Sequence, residues 1–381
     1  MSVGMTVGAV AVASLVVGKQ LFRKEKKGAK TKETVAPLPK LEVSKAMWDT
    51  FSVDYDKMFR LWSLPALASM ISALQLEKAA SCLEIGCGAG HGLAMLRDEL
   101  GSNGTLSACD FSPEMVKLAK ARVKQLGGGV ALSSSKAASS PTRSSTPRRK
   151  RAPATPDSKK EAHERVLEDL EAVARGEEHI GPAIAKIFEA DAQELPADWT
   201  DKFERVVSCL CFHIVPDHKK ATAEMFRVTA PGGLAAFAVW GQKDDSPMFT
   251  LHAQAIASLR EKGAIGPPSA EESAYSAALP RSNFYLGSDD AQLRADVAGV
   301  GFVDVLSWHV HCVWSTQGRG CNAFARAFTS AQPNARKYME NFFTGSEREL
   351  IITEMARLAD ENAAAGKPIG CDLVVVYGRK P

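Results

Sequence analysis

The stretch CLEIGCGAGHG, Cys82 to Gly92, ends an apolar run at the acid Glu84 and then sets glycines at alternate positions, Gly86, Gly88, Gly90 and Gly92. Alternating glycines straight after a strand let a ligand approach bare backbone with no Cβ in the way. Three ligand classes compete for such a loop: a nucleoside triphosphate, a dinucleotide, and an adenosyl group without phosphates. The phosphate loop GxxxxGK[ST] needs a lysine after its last glycine, and none is there. The dinucleotide pattern GxGxxG, counted from Gly86, needs glycine at position 91, where His91 stands. The observed spacing is GxGxG. Glu84, two residues upstream, would repel a pyrophosphate but suits a ligand that carries an ammonium and a sulfonium.

Two further acids fall at strand ends. TLSACD ends in Asp110, where a carboxylate accepts hydrogen bonds from both hydroxyls of a ribose. Phe111 beside it offers a flat apolar surface for adenine, and EADAQELP places Asp191 for the exocyclic amine. One aspartate at a strand end is ordinarily a helix cap or a solvated side chain. Three acids in register at successive strand ends are hard to explain that way. Methyl transfer from a sulfonium is a direct displacement, so a base is needed only if the acceptor must lose a proton. His213, just past the fourth strand, is the first candidate for that base, set against a structural or surface histidine. His309 and His311 alternate on a strand beside Cys312, but no further ligand cluster accompanies them, so no metal is expected.

Those side chains must be carried by an alternating scaffold. SCLEI, TLSACD, AKIFEAD, RVVSCLCF, LAAFAVW, VDVLSW and CDLVVVYG make seven strands separated by helical periods. One helix follows His91 with Leu93, Leu96 and Leu100 on one side. Another starts at a Ser112 cap with Pro113 in its first turn. Asp217 caps a third, and SERE, Ser346 to Glu349, has capping-box spacing ahead of a fourth. The expected fold class is α/β, a Rossmann-like doubly wound sheet of seven mostly parallel strands with helices on both faces.

With these motifs in place, the chain resembles the class I S-adenosylmethionine-dependent methyltransferases, and most of all the broad small-molecule group called the methyltransferase type 11 family. LEIGCGAGHG is similar to the family's first motif, CDFSPEM to the second, FEADAQELP to the third and FERVVSCLCFHIVPD to the fourth. VTAPGGLAAFAVWG corresponds to the segment before the fifth strand. The likeness is good over Ala46 to about Leu126 and Ile187 to about Gly241, and holds only in outline beyond. It implies S-adenosyl-L-methionine as cofactor. It also implies that Gly86, Cys87, Gly88 and Gly90 line the methionine part, with Glu84 near its amino group. By the same likeness Asp110 holds the ribose, Phe111 and Met115 flank the adenine, and Asp191 with the Ala192 amide reads its edge. Cys209 faces the methionine through its backbone, and Tyr55 in VDYDKMF matches a tyrosine that closes over the cofactor. Glu204 stands where the family usually has aspartate, and a long insertion separates the second and third motifs.

The ends and the insertion bear on partners. Met1 to Gly18 carries no charged side chain, and Lys19 to Lys32 follows with seven basic residues against the single acid Glu25. Eighteen helical residues span about 27 Å, barely a bilayer core. With the charge after the apolar stretch, an uncleaved anchor is expected at 1–18, a basic linker at 19–45 and a cytosolic catalytic domain at 46–381. The expected membrane is the outer mitochondrial or endoplasmic reticulum one, with import into mitochondria as the alternative. Residues 133–160, rich in Ser, Pro and basic side chains, are expected to be a disordered insertion. A substrate cap is expected around 244–302. Facing it, the segment Ala46 to Ser69 supplies Trp48, Phe51, Tyr55, Phe59 and Trp62. The net charge of +3 gives no general attraction to nucleic acid. The fourth-strand sequence SCLCFH lacks an NPPY-like motif, and no Pro-Cys pair occurs. No nucleic-acid partner is expected, and a small, lipophilic acceptor leads. The alternatives are a membrane-tethered scaffold that has lost activity, and a protein or RNA methyltransferase that uses the basic insertion. Eight cysteines without a CxxC pair point to reduced, buried thiols.

Overall fold

The computed structural model describes residues 45–52, 55, 63–100, 104–125, 184–278, 285–314, 319–367 and 369–381. Seven strands form one sheet: β1 Ser81–Ile85, β2 Thr105–Asp110, β3 Ile184–Glu189, β4 Phe203–Cys209, β5 Thr229–Trp240, β6 Val303–Val313 and β7 Gly370–Arg379. Their order across the sheet is β3-β2-β1-β4-β5-β7-β6. The first five are mutually parallel, and β7 runs antiparallel to both β5 and β6. β1 and β4 are adjacent, so the strand order reverses beside the glycine loop. That reversal opens a crevice at the carboxyl ends of the strands, where open α/β sheets bind ligands.

The helices follow from capping chemistry and apolar spacing. They are α1 Leu64–Leu74, α2 Leu93–Glu99, α3 Pro113–Gln125, α4 His218–Val228, α5 Pro247–Glu261, α6 Ala270–Ala278, α7 Asp290–Gly299, α8 Gly320–Ala331, α9 Pro333–Phe342 and α10 Gly345–Ala364. A helical segment at 45–52 precedes them. α3 begins where the Ser112 hydroxyl accepts from the Met115 N–H at 3.2 Å. α4 begins where Asp217 accepts from the Lys220 N–H at 3.0 Å. The capping box of α10 lies two residues earlier than the SERE spacing suggests. Thr344 and Glu347 exchange it, because only Thr344 has the extended backbone that lets its hydroxyl turn toward the N–H three residues on.

Two apolar layers cover the sheet. One holds α1, α2, α3, α5 and α8 to α10, with Leu67, Met70, Leu96, Ile256, Phe324 and Ile351 at its centre. The other holds α4 and α7, with Phe212, Met225, Leu293 and Phe302. The helices within 244–302 lie on both faces of the sheet. α5 packs on α10 and β7, while α7 packs on the other side against β6 and β7. The helices of 320–364 join α5 instead. Sequence periodicity identifies an amphipathic helix but not which face of the sheet receives it.

The expected anchor at 1–18, the linker up to residue 44 and the insertion at 133–160 lie outside the described residues. Among the described residues no helix is long and apolar enough to cross a membrane.

Candidate functional site

The glycine loop leaves β1 through two hydrogen bonds to a neighbouring strand. Gly86 N and Cys87 N both donate to the Cys109 carbonyl, at 2.8 and 2.9 Å. Gly86 has φ +70°, and a Cβ there would stand 2.6 Å from the Cys211 Cβ, so the position needs glycine for both conformation and space. Gly88 differs: its φ is +54°, but a Cβ would meet nothing within 4 Å. The second glycine therefore presents bare backbone to open space. Its N–H donates to Asp110 Oδ2 at 2.9 Å, and Ser112 N donates to Oδ1 at 3.0 Å. Both oxygens of Asp110 are thus aimed by backbone donors from the loop and from the start of α3. Burial raises the Asp110 carboxyl to about 6, against the pull of those N–H groups; the nearby Asp49 also pushes it up.

Glu84 is 3 % exposed, and its Oε2 has no hydrogen-bond partner. Burial, with a smaller push from Asp110, raises its carboxyl to about 8. Its other oxygen lies 3.0 Å from where a Cβ of Gly92 would stand, at the start of α2. A buried carboxyl with an unsatisfied oxygen suits a ligand ammonium, which would supply both the missing donor and the missing charge.

The cavity at the strand ends encloses about 700 Å³ of empty space including its solvent-open mouth. Glycines and acids form one part of its lining: Gly86, Gly88, Asp110 and Asp191. Trp48, Tyr55, Phe111, Met115, Ile214 and Val215 form an apolar part, and Ala192 and Cys209 also line it. Of the residues singled out from the sequence, Glu84, Cys87, Gly90 and His213 are not among the lining. Glu84 and Cys87 are buried beside it, at 3 % and 6 % exposure. A Cβ on Gly90 would stand 3.0 Å from the Ala119 Cα, so that glycine serves the close packing of the loop on α3.

Asp191 stands two residues beyond the end of β3, in an isolated bridge with Glu194. Its Oδ1 accepts from Gln193 N at 2.9 Å, which turns the chain and lets Asp191 face the cavity. Burial raises the Tyr55 phenol above its ordinary range, so its hydroxyl keeps its proton at neutral pH. The same cause raises the Cys209 and Cys211 thiols, which favours the protonated form on this wall.

Of the two readings open for His213, a base at the cavity mouth or a structural histidine, its placement favours the structural one. It is 3 % exposed and stacks on Trp240 at 4.8 Å between ring centroids; Trp240 in turn stacks on Phe249 at 4.4 Å. Burial lowers its pKa to about 3, so it stays neutral through the physiological range. The reason is local: Leu210 takes a left-handed backbone, φ +61°, immediately after β4. The chain then turns so that Cys211, Ile214, Val215 and Pro216 reach the cavity while Phe212 and His213 are buried. Counting residues past a strand end could not foresee that turn, and it is also why Cys211, Ile214 and Pro216 were not singled out. His309 Nδ1 pairs with the buried Asp372 at 2.9 Å on β6 and β7. Among the described residues no cluster of three or more metal-ligating side chains occurs.

A family model described as a methyltransferase domain matches residues 48–285. No curated protein matches the sequence. Among solved structures, the chain is similar to a Haemonchus contortus phosphoethanolamine N-methyltransferase 2 in complex with phosphomonomethylethanolamine and S-adenosylhomocysteine. The TM-score is 0.41 at 14% identity, over 87% of this chain and 57% of that one. It is also similar to the YcgJ protein of Bacillus subtilis, with TM-score 0.41 and 15% identity over 82% of this chain and 97% of that one. A SAM-dependent methyltransferase from Aquifex aeolicus aligns with TM-score 0.38 and 15% identity over 67% of this chain and 88% of that one. The chain thus spans 57% of the length of the nematode enzyme.

Proposed function

Because the chain belongs to the methyltransferase-domain family, in the class I S-adenosylmethionine-dependent group, we propose that it transfers a methyl group to a small, lipophilic acceptor by direct displacement. The observation that carries this reading is the lining of the cavity. Open backbone at Gly88 and the carboxylate of Asp110 line the same cavity as the rings of Trp48, Tyr55 and Phe111. S-adenosylmethionine, when bound, supplies an electrophilic methyl on a sulfonium. Asp110 accepts the ribose hydroxyls, with its oxygens already oriented by Gly88 N and Ser112 N. Glu84 takes the ammonium. Phe111 and Met115 cover the adenine, and Asp191 with the Ala192 amide meets its edge. The aromatic wall keeps water from the reacting carbon, and Tyr55 approaches as a neutral phenol. His213 lies outside the lining, so an acceptor that must lose a proton gives it to solvent or to its own basic group.

The proposal extends to the ends of the chain. An anchor at 1–18 would hold the catalytic domain against a membrane and concentrate a partitioning acceptor near the cavity. Residues 133–160 would contribute nothing to the core. The test uses labelled methyl donor with full-length and 1–18-deleted protein, each given a lipid extract and an aqueous extract. Label in lipid products, with full-length protein ahead, supports the reading. Label only in water-soluble products, equally for both proteins, overturns the lipophilic acceptor.

A further inference from the structure

The helical segment at 45–52 is joined to the site by two polar contacts, both beside residues assigned to adenosine. Lys45 forms an ion pair with Glu189, the last residue of β3. Asp49 Oδ1 accepts the hydroxyl proton of Ser112 at 2.5 Å. Ser112 is fully buried, and its N–H and hydroxyl have three polar tasks. Its N–H donates to Asp110 Oδ1 at 3.0 Å, its oxygen accepts from Met115 N at 3.2 Å, and its proton goes to Asp49. A hydroxyl has one proton. With the Met115 N–H occupying one lone-pair direction, that proton is left to point at Asp49. The same segment places Trp48, Phe51 and, beyond it, Tyr55 in one aromatic group, with ring centroids 5.5 to 5.9 Å apart. Trp48 and Tyr55 line the cavity.

We propose that Asp49 is a positioning residue for the cofactor site. Through the Ser112 hydroxyl it ties the segment that carries Trp48 and Tyr55 to the residue whose backbone holds Asp110. The proposal rests on the reading of the cavity as an S-adenosylmethionine site and adds a role that no binding motif assigns. It differs from a simple surface contact in one respect. A cofactor ribose pulling on Asp110 meets a carboxylate whose N–H partner is fixed by the aromatic wall, so the wall and the ribose site are ordered together. Asp49 also adds negative charge near Asp110, which suits a cationic cofactor.

The experiment uses the full chain and S-adenosylhomocysteine as probe, by calorimetry. Asp49→Ala should weaken binding roughly fivefold or more, with the melting temperature of the unliganded protein little changed. Asp49→Asn keeps an acceptor oxygen for the Ser112 proton and should restore most of the affinity. In a Tyr55→Ala background Asp49→Ala should add little, because the residue acts through the segment it positions. Hydrogen exchange gives a second readout: amides of 45–52 should lose protection in Asp49→Ala and keep it in Asp49→Asn. Wild-type binding with unaltered affinity in Asp49→Ala overturns the positioning role alone. Full additivity with Tyr55→Ala overturns it as well. A wild-type protein that does not bind the probe overturns the cofactor reading and this proposal together.

Discussion

Replacing Glu84 by Gln isolates the electrostatic cost that the site carries before a cation arrives. Burial holds the folded-state pKa of Glu84 at about 8, against 4.5 for an open glutamate. At about 1.4 kcal/mol per tenfold in proton affinity, ionising this carboxyl costs on the order of 5 kcal/mol more in the folded chain than in the unfolded one. Below pH 4.5 both states keep the proton and no penalty exists. From pH 4.5 to about 8 only the unfolded chain releases it, so the stability of the unliganded protein falls as pH rises. At neutral pH the penalty is on the order of 3 kcal/mol. Asp110, raised from 3.8 to about 6 by burial, adds a smaller total penalty of the same sign over a lower pH window. Glu84→Gln should therefore flatten the pH dependence between about 6 and 8 without abolishing the part below it. The variant's absolute stability is a poorer measure, because its amide group replaces an Oε2 that already lacks a hydrogen-bond partner. The sharper assay is calorimetry of S-adenosylhomocysteine binding in two buffers of different ionisation enthalpy. Near pH 7 about nine-tenths of Glu84 holds a proton in the unliganded protein, and an ammonium arriving at Oε2 should expel it. Wild-type protein should release close to one proton on binding, and Glu84→Gln close to none while binding more weakly. Equal proton release from both would refute the assignment of the buried charge to Glu84.

Asp110→Ala should weaken S-adenosylhomocysteine binding by roughly 1.5–3 kcal/mol, the scale for hydrogen bonds to a charged group, as measured by calorimetry. Gly88→Ala should fold, with about 1–2 kcal/mol of left-handed strain, yet lose probe binding because its methyl stands in the open space. Gly86→Ala should lower the melting temperature further, because its Cβ would stand 2.6 Å from the Cys211 Cβ. His213→Ala should destabilise the protein by roughly 2–5 kcal/mol through loss of packing on Trp240. In a methyl-transfer assay the wild type should show no inflection between pH 5 and 8 that His213→Ala removes, since His213 titrates at about 3. Deleting residues 133–160 should leave the melting temperature nearly unchanged; a fall of many degrees would mean that the segment packs.

The parts legible in the sequence were those governed by short-range rules. The seven strands came from apolar runs, and the caps at Ser112 and Asp217 from side chains that bond the backbone two or three residues on. The cavity residues Gly86, Gly88, Asp110 and Phe111 could be named because each lies within a few residues of a strand end, and Met115 through the family resemblance. What the sequence did not show depended on a single backbone choice or on distant packing. One left-handed residue, Leu210, sends His213 inward and Ile214 outward, and nothing about leucine announces that conformation. The helices of 320–364 join α5 through apolar contacts between residues about 70 to 100 positions apart, which local pattern does not specify. The Asp49–Ser112 contact spans 63 residues, so no spacing rule could point to it.

A common electrostatic logic links these features. Glu84, Asp110 and Asp49 bring three carboxyls together at one end of the sheet, and Asp110 pushes on Glu84 as Asp49 pushes on Asp110. Such an arrangement resists ionisation in the empty protein, and the fold tolerates it by keeping Glu84 protonated and by aiming backbone N–H groups at Asp110. A neutral or anionic ligand would leave that repulsion in place, whereas a ligand bearing two positive groups relieves it and turns desolvation into affinity. The same reasoning explains why the demethylated product should bind less tightly than the donor. It keeps the ammonium but has lost the sulfonium charge, so part of the attraction to the acids disappears as the methyl leaves. Affinities of the two, measured on wild type and on Glu84→Gln at low and high salt, test this directly. Both ligands carry the ammonium that Glu84 meets, so Glu84→Gln should weaken both, and the donor's advantage should shrink only by the longer-range pull of Glu84 on the sulfonium. An advantage that is unchanged by the substitution would place the charge discrimination elsewhere, on the aromatic rings of Trp48 and Tyr55.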